Sequence, residues 1–324
     1  MEYRRLGSSD LEVSEVGFGC WEIGGDYGGY DESEVVAAVH RALDLGVTLF
    51  DTARAYGFGR SEQLLGRALA GRRHDAVVVT KVGMEPEPDG RLRRDSSRRA
   101  IVEGVEASLR FLGTDHVDLL LIHWPDRTRG WEEPMAALAS VAEAGKARYV
   151  GVSNFRAADL EACAPLAPLV ANQVGYNLFD RRWEREMFPT ATALGIGVMA
   201  YGPLAHGLLT GDWAADARFD VADWRSRGMA FGQPIMSPEN LPANLEVVER
   251  LRAVASEAGL SLPQLAVAWV LRQPAVGVAL TGVRTPGQIE QNVRASGARL
   301  APDVLARVDE VMAGARGGTA EVPA

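Results

Sequence analysis

Lysine is almost missing from this 324-residue chain: of its 34 basic residues, only Lys81 and Lys146 are lysine. A GC-rich genome produces that bias, and the bias sharpens the question of why a lysine survives where it does. Arginine cannot replace a lysine whose task is a compact point charge or a shifted pKa. Cysteine is scarce too. Cys20 and Cys163 stand far apart and without metal-ligand spacing, which excludes a disulfide scaffold and suits a reducing compartment. Positive charge is in deficit, 34 Lys and Arg against 43 Asp and Glu for a net charge of −9. A nucleic-acid partner, which would meet a basic face, is therefore not expected. No window approaches the ~18 consecutive apolar residues of a membrane span. Met1-Glu2-Tyr3-Arg4-Arg5 opens without the apolar core of a signal peptide. The expectation is a cytoplasmic protein with no membrane partner.

What the chain does have is an ordinary globular composition, 47% hydrophobic and 24% charged. Apolar runs at 13–19, 47–51, 76–82, 117–123, 147–153, 169–176, 197–201 and 276–283 read as strands. Runs such as Leu119-Leu120-Leu121-Ile122 suit strands buried on both faces, as in parallel sheets. Helical spacing predicts helices at 34–45, 61–70, 96–112, 132–144, 157–163, 184–194, 245–258 and 286–296. Gly46, Gly71, Gly113, Gly145, Gly195 and Gly259 stand near helix ends, where a left-handed residue closes the last turn. Strand–helix alternation on this scale favours a single (β/α)8 barrel domain over 1–324, ahead of a doubly wound sheet with a second domain. Segment 261–273 reads as an extra core helix among those near the C-terminus. The connection 202–244 after strand seven is long, and it carries Trp213, Trp224, Phe231 and Pro234. It is a candidate lid or pocket wall, or else a patch sealing the barrel edge.

Several motifs fail. Gly195-Ile196-Gly197-Val198-Met199-Ala200 matches a dinucleotide fingerprint by letter, but its glycines precede a strand instead of linking a strand to a helix. No P-loop, G-x-S-x-G or H-E-x-x-H occurs, and the five histidines form no local cluster, so no metal is expected. In a barrel of this kind function collects at the C-terminal strand ends. Those ends read Asp51, Lys81, His123, Ser153 with Asn154, Gln173 and Tyr201. Turn-forming preference explains Asp51, Ser153 and Asn154. It does not explain Lys81, His123 or Tyr201.

Here the sequence becomes familiar. Asp51-Thr52-Ala53-Arg54-Ala55-Tyr56-Gly57 with Ser61-Glu62, Thr80-Lys81, Asp118-Leu119-Leu120-Leu121-Ile122-His123-Trp124 and Gly151-Val152-Ser153-Asn154-Phe155 resemble the motifs of the aldo-keto reductase superfamily. So do Asn172-Gln173-Val174-Gly175-Tyr176-Asn177, the run from Tyr201-Gly202-Pro203-Leu204 to Gly211, and Gly282-Val283-Arg284-Thr285-Pro286. They fall in family order and span nearly the whole chain. The resemblance implies a barrel that binds a nicotinamide cofactor without a Rossmann fold, and a catalytic tetrad of Asp51, Tyr56, Lys81 and His123.

The chemistry asks for these types. Hydride addition to a carbonyl builds an alkoxide that must be protonated, and a free phenol with pKa ~10 is a poor acid at neutral pH. Lys81 is expected to lower the Tyr56 pKa, Asp51 to hold Lys81, and His123 to orient the carbonyl. By resemblance Ser153, Asn154 and Gln173 hold the nicotinamide carboxamide and Tyr201 stacks on the ring. Gly202, Leu204, Gly207 and Leu208 lie where the family wraps the cofactor's diphosphate, and Pro203 and Gly282 fall among the cofactor-binding positions. Arg284 matches the position that reads the 2′-phosphate of NADP(H), with NAD(H) as the other candidate, and Gln288 and Asn292 would face the adenine. Trp21 and Trp124 are expected to wall the substrate pocket.

Two departures stand out. Gly282-Val283-Arg284 lacks the lysine of the short-chain eukaryotic branch, which places the chain nearer bacterial members and channel β-subunits. Asp212 follows Gly211 where many relatives carry a basic residue. The expected activity is NADPH-dependent reduction of aldehydes or ketones. The alternatives are a sugar or alcohol dehydrogenase running oxidatively and a redox-sensing regulatory subunit. The expected partner is a small carbonyl or sugar substrate, with a homo-oligomer left open.

Overall fold

The computed structural model describes residues 1–87, 91–214, 219–221 and 223–318. The chain starts with an antiparallel hairpin, β1 (Tyr3–Arg5) and β2 (Glu12–Ser14). Next come β3 (Val16–Gly19), β4 (Leu49–Asp51) and β5 (Val77–Val82), then a second hairpin, β6 (Met84–Pro86) with β7 (Leu92–Arg94). The remaining strands are β8 (Val117–Ile122), β9 (Ala147–Ser153), β10 (Leu169–Gly175), β11 (Gly197–Tyr201) and β12 (Val276–Gly282). Outside the hairpins the strands pair in parallel and in chain order. β12 returns to β3, closing a barrel of eight.

Six helices follow the strands one by one: α1 (Glu32–Asp44), α2 (Arg60–Ala68), α3 (Arg98–Leu112), α4 (Glu132–Glu143), α5 (Ala157–Cys163) and α6 (Met187–Ala193). After β11 come two, α7 (Leu241–Glu257) and α8 (Leu262–Leu271); after β12 come α9 (Pro286–Asn292) and α10 (Pro302–Met312). The fold is the expected (β/α)8 barrel, with one exchange of roles. α8 lies on β12 and beside α9, so it is the seventh helix of the barrel wall, whereas α7 is the addition, packed between α8 and α10. Every residue of α8 except Gln264 is buried. A helix apolar all round must be covered on both faces, by the barrel inside and by α7 outside. A capping box fixes its start: Ser261 Oγ accepts from Gln264 N and Gln264 Oε1 accepts from Ser261 N at 3.0 Å.

The run 13–19, expected as one strand, is broken at Glu15. Its carboxylate is buried, pairs with Arg4 at 2.6 Å and accepts from Gly297 N at 2.6 Å. A buried charge needs such partners, and reaching them turns the chain from the hairpin into the barrel. The hairpin then plugs the N-terminal end. Leu6, Leu11 and Val13 join Leu49, Val79, Leu119, Met199 and Val278 in one buried cluster inside the barrel. Gly7, in the hairpin turn, and Gly197, at the start of β11, bring two backbones so close that a Cβ on either would overlap the other backbone. Among the described residues no single helix is long and apolar enough to cross a membrane.

Candidate active site

Side chains alternate in and out along a strand, and that rule places the site. The inward series passes from apolar to polar toward the C-terminal end: Leu49 to Asp51 on β4, Val79 to Lys81 on β5, and Ala171 to Gln173 on β10. Met199 leads to Tyr201 on β11 in the same way, and Leu121 on β8 leads to His123 just past the strand. Five residues from five strands thus meet at one mouth.

Lys81 Nζ donates to Asp51 Oδ2 at 2.7 Å, to the Thr52 carbonyl at 2.9 Å and to Tyr56 Oη at 3.1 Å. Three acceptors around a nitrogen with three hydrogens are the shell of an ammonium. Burial pushes Asp51 up and Lys81 down, and the contact between them opposes both shifts. Gln173 Nε2 holds the other carboxylate oxygen at 2.7 Å. Tyr56 reaches the group from the loop after β4, and its ring meets His123 edge-on with centroids 5.6 Å apart. Burial, with Asp51 adding to it, holds the Tyr56 phenol well above its ordinary value. The expectation that Lys81 brings it down is therefore not met in the resting site: the phenol stays neutral and keeps its proton. Burial, then the charge of Lys81, holds His123 well below its ordinary value. Its Nδ1 is buried with no hydrogen-bond partner among the described residues, which leaves a neutral imidazole with an open nitrogen.

A chain of bonds runs on from Gln173. Ser153 Oγ donates to the Gln173 carbonyl at 2.8 Å, Asn154 Nδ2 donates to Ser153 Oγ and to the His123 carbonyl, and Tyr201 Oη donates to Asn154 Oδ1 at 2.9 Å. Asn154 adopts φ 65°, a left-handed conformation that asparagine tolerates better than most side chains. Over these residues opens a cavity of about 420 Å³.

Of the residues singled out from sequence, Trp21, Asp51, Tyr56, His123, Trp124, Ser153, Asn154, Gln173, Tyr201, Gly202, Pro203, Leu204, Gly207, Gly282, Arg284 and Gln288 line it. Lys81 lies behind Asp51 and Tyr56. Leu208 and Asn292 are buried away from the cavity wall.

Trp21 stacks on Trp224 with centroids 5.1 Å apart, and its Nε1 donates to Asp26 at 2.8 Å. Trp124 stacks on Phe231 at 6.0 Å. The long connection after β11 is thus a pocket wall, supplying His206, Trp213, Arg225 and Phe231; its residues 215–218 and 222 lie outside the described ones. Sequence reasoning missed Met84 and Leu92, brought in by the β6–β7 hairpin, and Glu22, whose one signal was its place beside Trp21 at the end of β3.

A nicotinamide dinucleotide fits this donor set. Gln173 spends its amide N–H on Asp51 and keeps its carbonyl oxygen, Ser153 and Asn154 add polar atoms, and Tyr201 supplies a ring. Gly202 and Gly207 have φ of 63° and 105°, and a Cβ on them would press into His206 and into Arg225 and Trp213. Only bare backbone leaves room for a ligand there.

The profile of the Aldo/keto reductase family matches residues 15–313. The chain belongs to the aldo/keto reductase family. It is an NAD(P)H-dependent oxidoreductase. Over 90% of its length it is 39% identical to aldo-keto reductase YhdN of Bacillus subtilis strain 168, covering 87% of that protein. It is 34% identical to a probable voltage-gated potassium channel subunit beta of Oryza sativa subsp. japonica, covering 96% of this chain and 97% of that one. The solved structure of the glycerol dehydrogenase AKR11B4 from Gluconobacter oxydans superimposes with a TM-score of 0.87 and 37% identity, over 96% of this chain and 95% of that one.

Proposed function

We propose that the protein reduces aldehydes or ketones to alcohols with NADPH, with Tyr56 as the proton donor. The observation that carries this is the Lys81 ammonium bridging the Asp51 carboxylate and the Tyr56 hydroxyl beside a neutral His123. The bound nicotinamide supplies the hydride. As negative charge grows on the substrate oxygen, Tyr56 gives it a proton, and the tyrosinate left behind is stabilised by Lys81 at hydrogen-bond distance. Asp51 and the Thr52 carbonyl hold Lys81 in place. His123 lines the cavity as a neutral ring, and a ring N–H directed at the carbonyl oxygen would set its angle. Trp21, Trp124 and Phe231 form an apolar wall that keeps water from the reacting centre.

Ser153, Asn154 and Gln173 would hold the carboxamide, and Gly202, Leu204 and Gly207 would lie along the diphosphate. For the adenosine end, Arg284 makes no ion pair among the described residues, and its main-chain N–H is held by Gln288 Oε1 at 2.7 Å. Its Nη1 donates to the Gly29 carbonyl at 3.4 Å, and a guanidinium without an ion pair suits the 2′-phosphate of NADPH, which supports NADPH over NADH. Two other readings draw on the relatives: a polyol dehydrogenase and a redox-sensing subunit. Following NADPH oxidation with an aromatic aldehyde, and NADP⁺ reduction with glycerol, separates the three. Many turnovers with the aldehyde support the reductase, and turnover confined to glycerol reverses its direction. One slow turnover with retained cofactor replaces enzyme by sensor.

A further inference from the structure

Glu22 lines the cavity and has no part in the chemistry above. It sits in a single 3-10 turn, Trp21–Ile23, that leaves the top of β3 and points Ile23 into the core. Its carboxylate lies against the backbone of Gly282 at the top of β12, in the space a Cβ on that residue would take. Among the described residues no cation forms an ion pair with it. Arg284 beyond β12 and Arg225 on the long loop act on it only through space, and Arg225 is held by Asp223 at 2.6 Å. Asp51 on β4 opposes them, and Asp26 and Asp212 add carboxylates to the same cavity. Tyr27 and Tyr56 face it as neutral phenols, and His206 on the loop is held neutral, with a pKa lowered to about 3. Burial raises the Glu22 carboxyl to about 7, so near neutral pH it passes between charged and neutral forms.

If the cavity holds a nicotinamide dinucleotide, the cofactor shares with Glu22 the cavity that Gly202, Gly207 and Gly282 also line, and a carboxylate near its diphosphate meets an anion of like charge. We propose that Glu22 couples cofactor binding to protonation: it takes a proton from solvent when the dinucleotide enters, and the neutral carboxyl then adjoins the diphosphate. This inference rests on the cofactor reading above.

The sign follows from linkage. A nearby anion favours the protonated carboxyl, so binding takes up a proton wherever the free protein has lost it, that is, above about pH 7. Affinity is then level on the acid side and falls by up to tenfold per pH unit on the alkaline side. Glu62, raised to about 6, is bonded to Thr80 on the outer face of β5, away from the cavity.

NADH is the probe, because the 2′-phosphate of NADPH titrates near pH ~6 and would add its own slope. Fluorescence titration of the wild-type protein from pH 6 to pH 8.5 should show the NADH Kd rising at least tenfold. Calorimetry at pH 8 in two buffers of different ionisation enthalpy should show uptake of more than half a proton per NADH, a readout that needs no variant. Glu22→Gln keeps the shape without the charge, and its Kd should stay level across the range, close to the wild-type value at pH 6. A level wild-type Kd without proton uptake overturns the proposal, and so does a Glu22→Gln protein that keeps the wild-type slope. Failure to bind either NADH or NADPH at pH 6 strikes the cofactor reading itself and takes this inference with it.

Discussion

At the N-terminal end of the barrel, Leu6, Leu11 and Val13 meet Leu49, Val79, Leu119 and Met199 with no charged side chain among them. At the C-terminal end, two residues further along the same strands, Asp51, Lys81 and Gln173 form a bonded group that each member needs. One pleat register supplies both. The lower end is built from many small contacts that add, so it can lose one and keep its shape. The upper end is built from a few directional bonds among buried polar groups, where each loss leaves a partner unpaired. Stability and chemistry are thereby separated along one set of strands, and substitutions at the two ends should fail in different ways.

The sharpest break is at the top. Tyr56→Phe removes the proposed proton donor and should lower kcat/KM by about 10²–10⁴-fold, with NADPH affinity and melting temperature nearly unchanged. Retention of more than a tenth of wild-type kcat/KM would take Tyr56 out of that role. The matching break at the bottom is Leu6→Ala. It should cost about 2–5 kcal/mol in urea denaturation while kcat per folded molecule stays at the wild-type value. A fall in kcat there would join the two ends that the comparison keeps apart.

Arg284→Ala tests the adenosine end of the upper site. It should weaken NADPH binding by about ten- to a hundredfold, the ~1.5–3 kcal/mol of a hydrogen bond to a charged group, and leave NADH almost unchanged. Equal losses for both would make Arg284 a support of its loop and remove the case for NADPH. The smallest effect concerns His206. Its folded pKa of about 3 lies below the ordinary 6.5, so the unfolded chain binds the extra proton and stability falls as pH drops below 6.5. The ring is partly open to the cavity, so the loss between pH 7 and pH 5 is about 1 kcal/mol. His206→Asn, which tolerates the left-handed backbone at φ 58°, should flatten the melting temperature over that range. An unchanged slope would place the acid sensitivity elsewhere.

The strands were legible because each is an apolar run with turn signals at both ends, and their register then carried Asp51, Lys81, Gln173 and Tyr201 to one mouth. The break at Glu15 was not legible, since its cause is an ion pair and a bond to Gly297 from the far end of the chain. The β6–β7 hairpin is too short and too polar to leave a periodic trace. α7 and α8 both have helical spacing, and only packing decides which of them lies on the barrel. The meeting of Asp51, Lys81 and His123 could be read because strand-end position and family motif agree on them, whereas Tyr56, in the loop after β4, was named by the motif alone. Glu22 could not be read, because what brings it to the cavity is a turn whose path is set by tertiary contact, whereas Phe231 was legible only as part of an aromatic connection that could wall a pocket. The pKa of Tyr56 was misjudged for a related reason: the sequence names the nearby cation but not the depth of burial that outweighs it.

The closure of β12 on β3 has a consequence for how the protein is made. Val16 is paired with Ala279 and Gly19 with Gly282, and Glu2 is tied to Ser296 and Arg299. During synthesis β3, which emerges before the other barrel strands, therefore waits for β12, the last of them, before its edge is covered. Until then the nascent chain is an open sheet with two bare edges, β3 on one side and β11 on the other. Such edges recruit neighbouring chains. Yield in a cell should thus depend on how fast residues 276–299 leave the ribosome and on what has been fused ahead of Tyr3, since both act at the same seam.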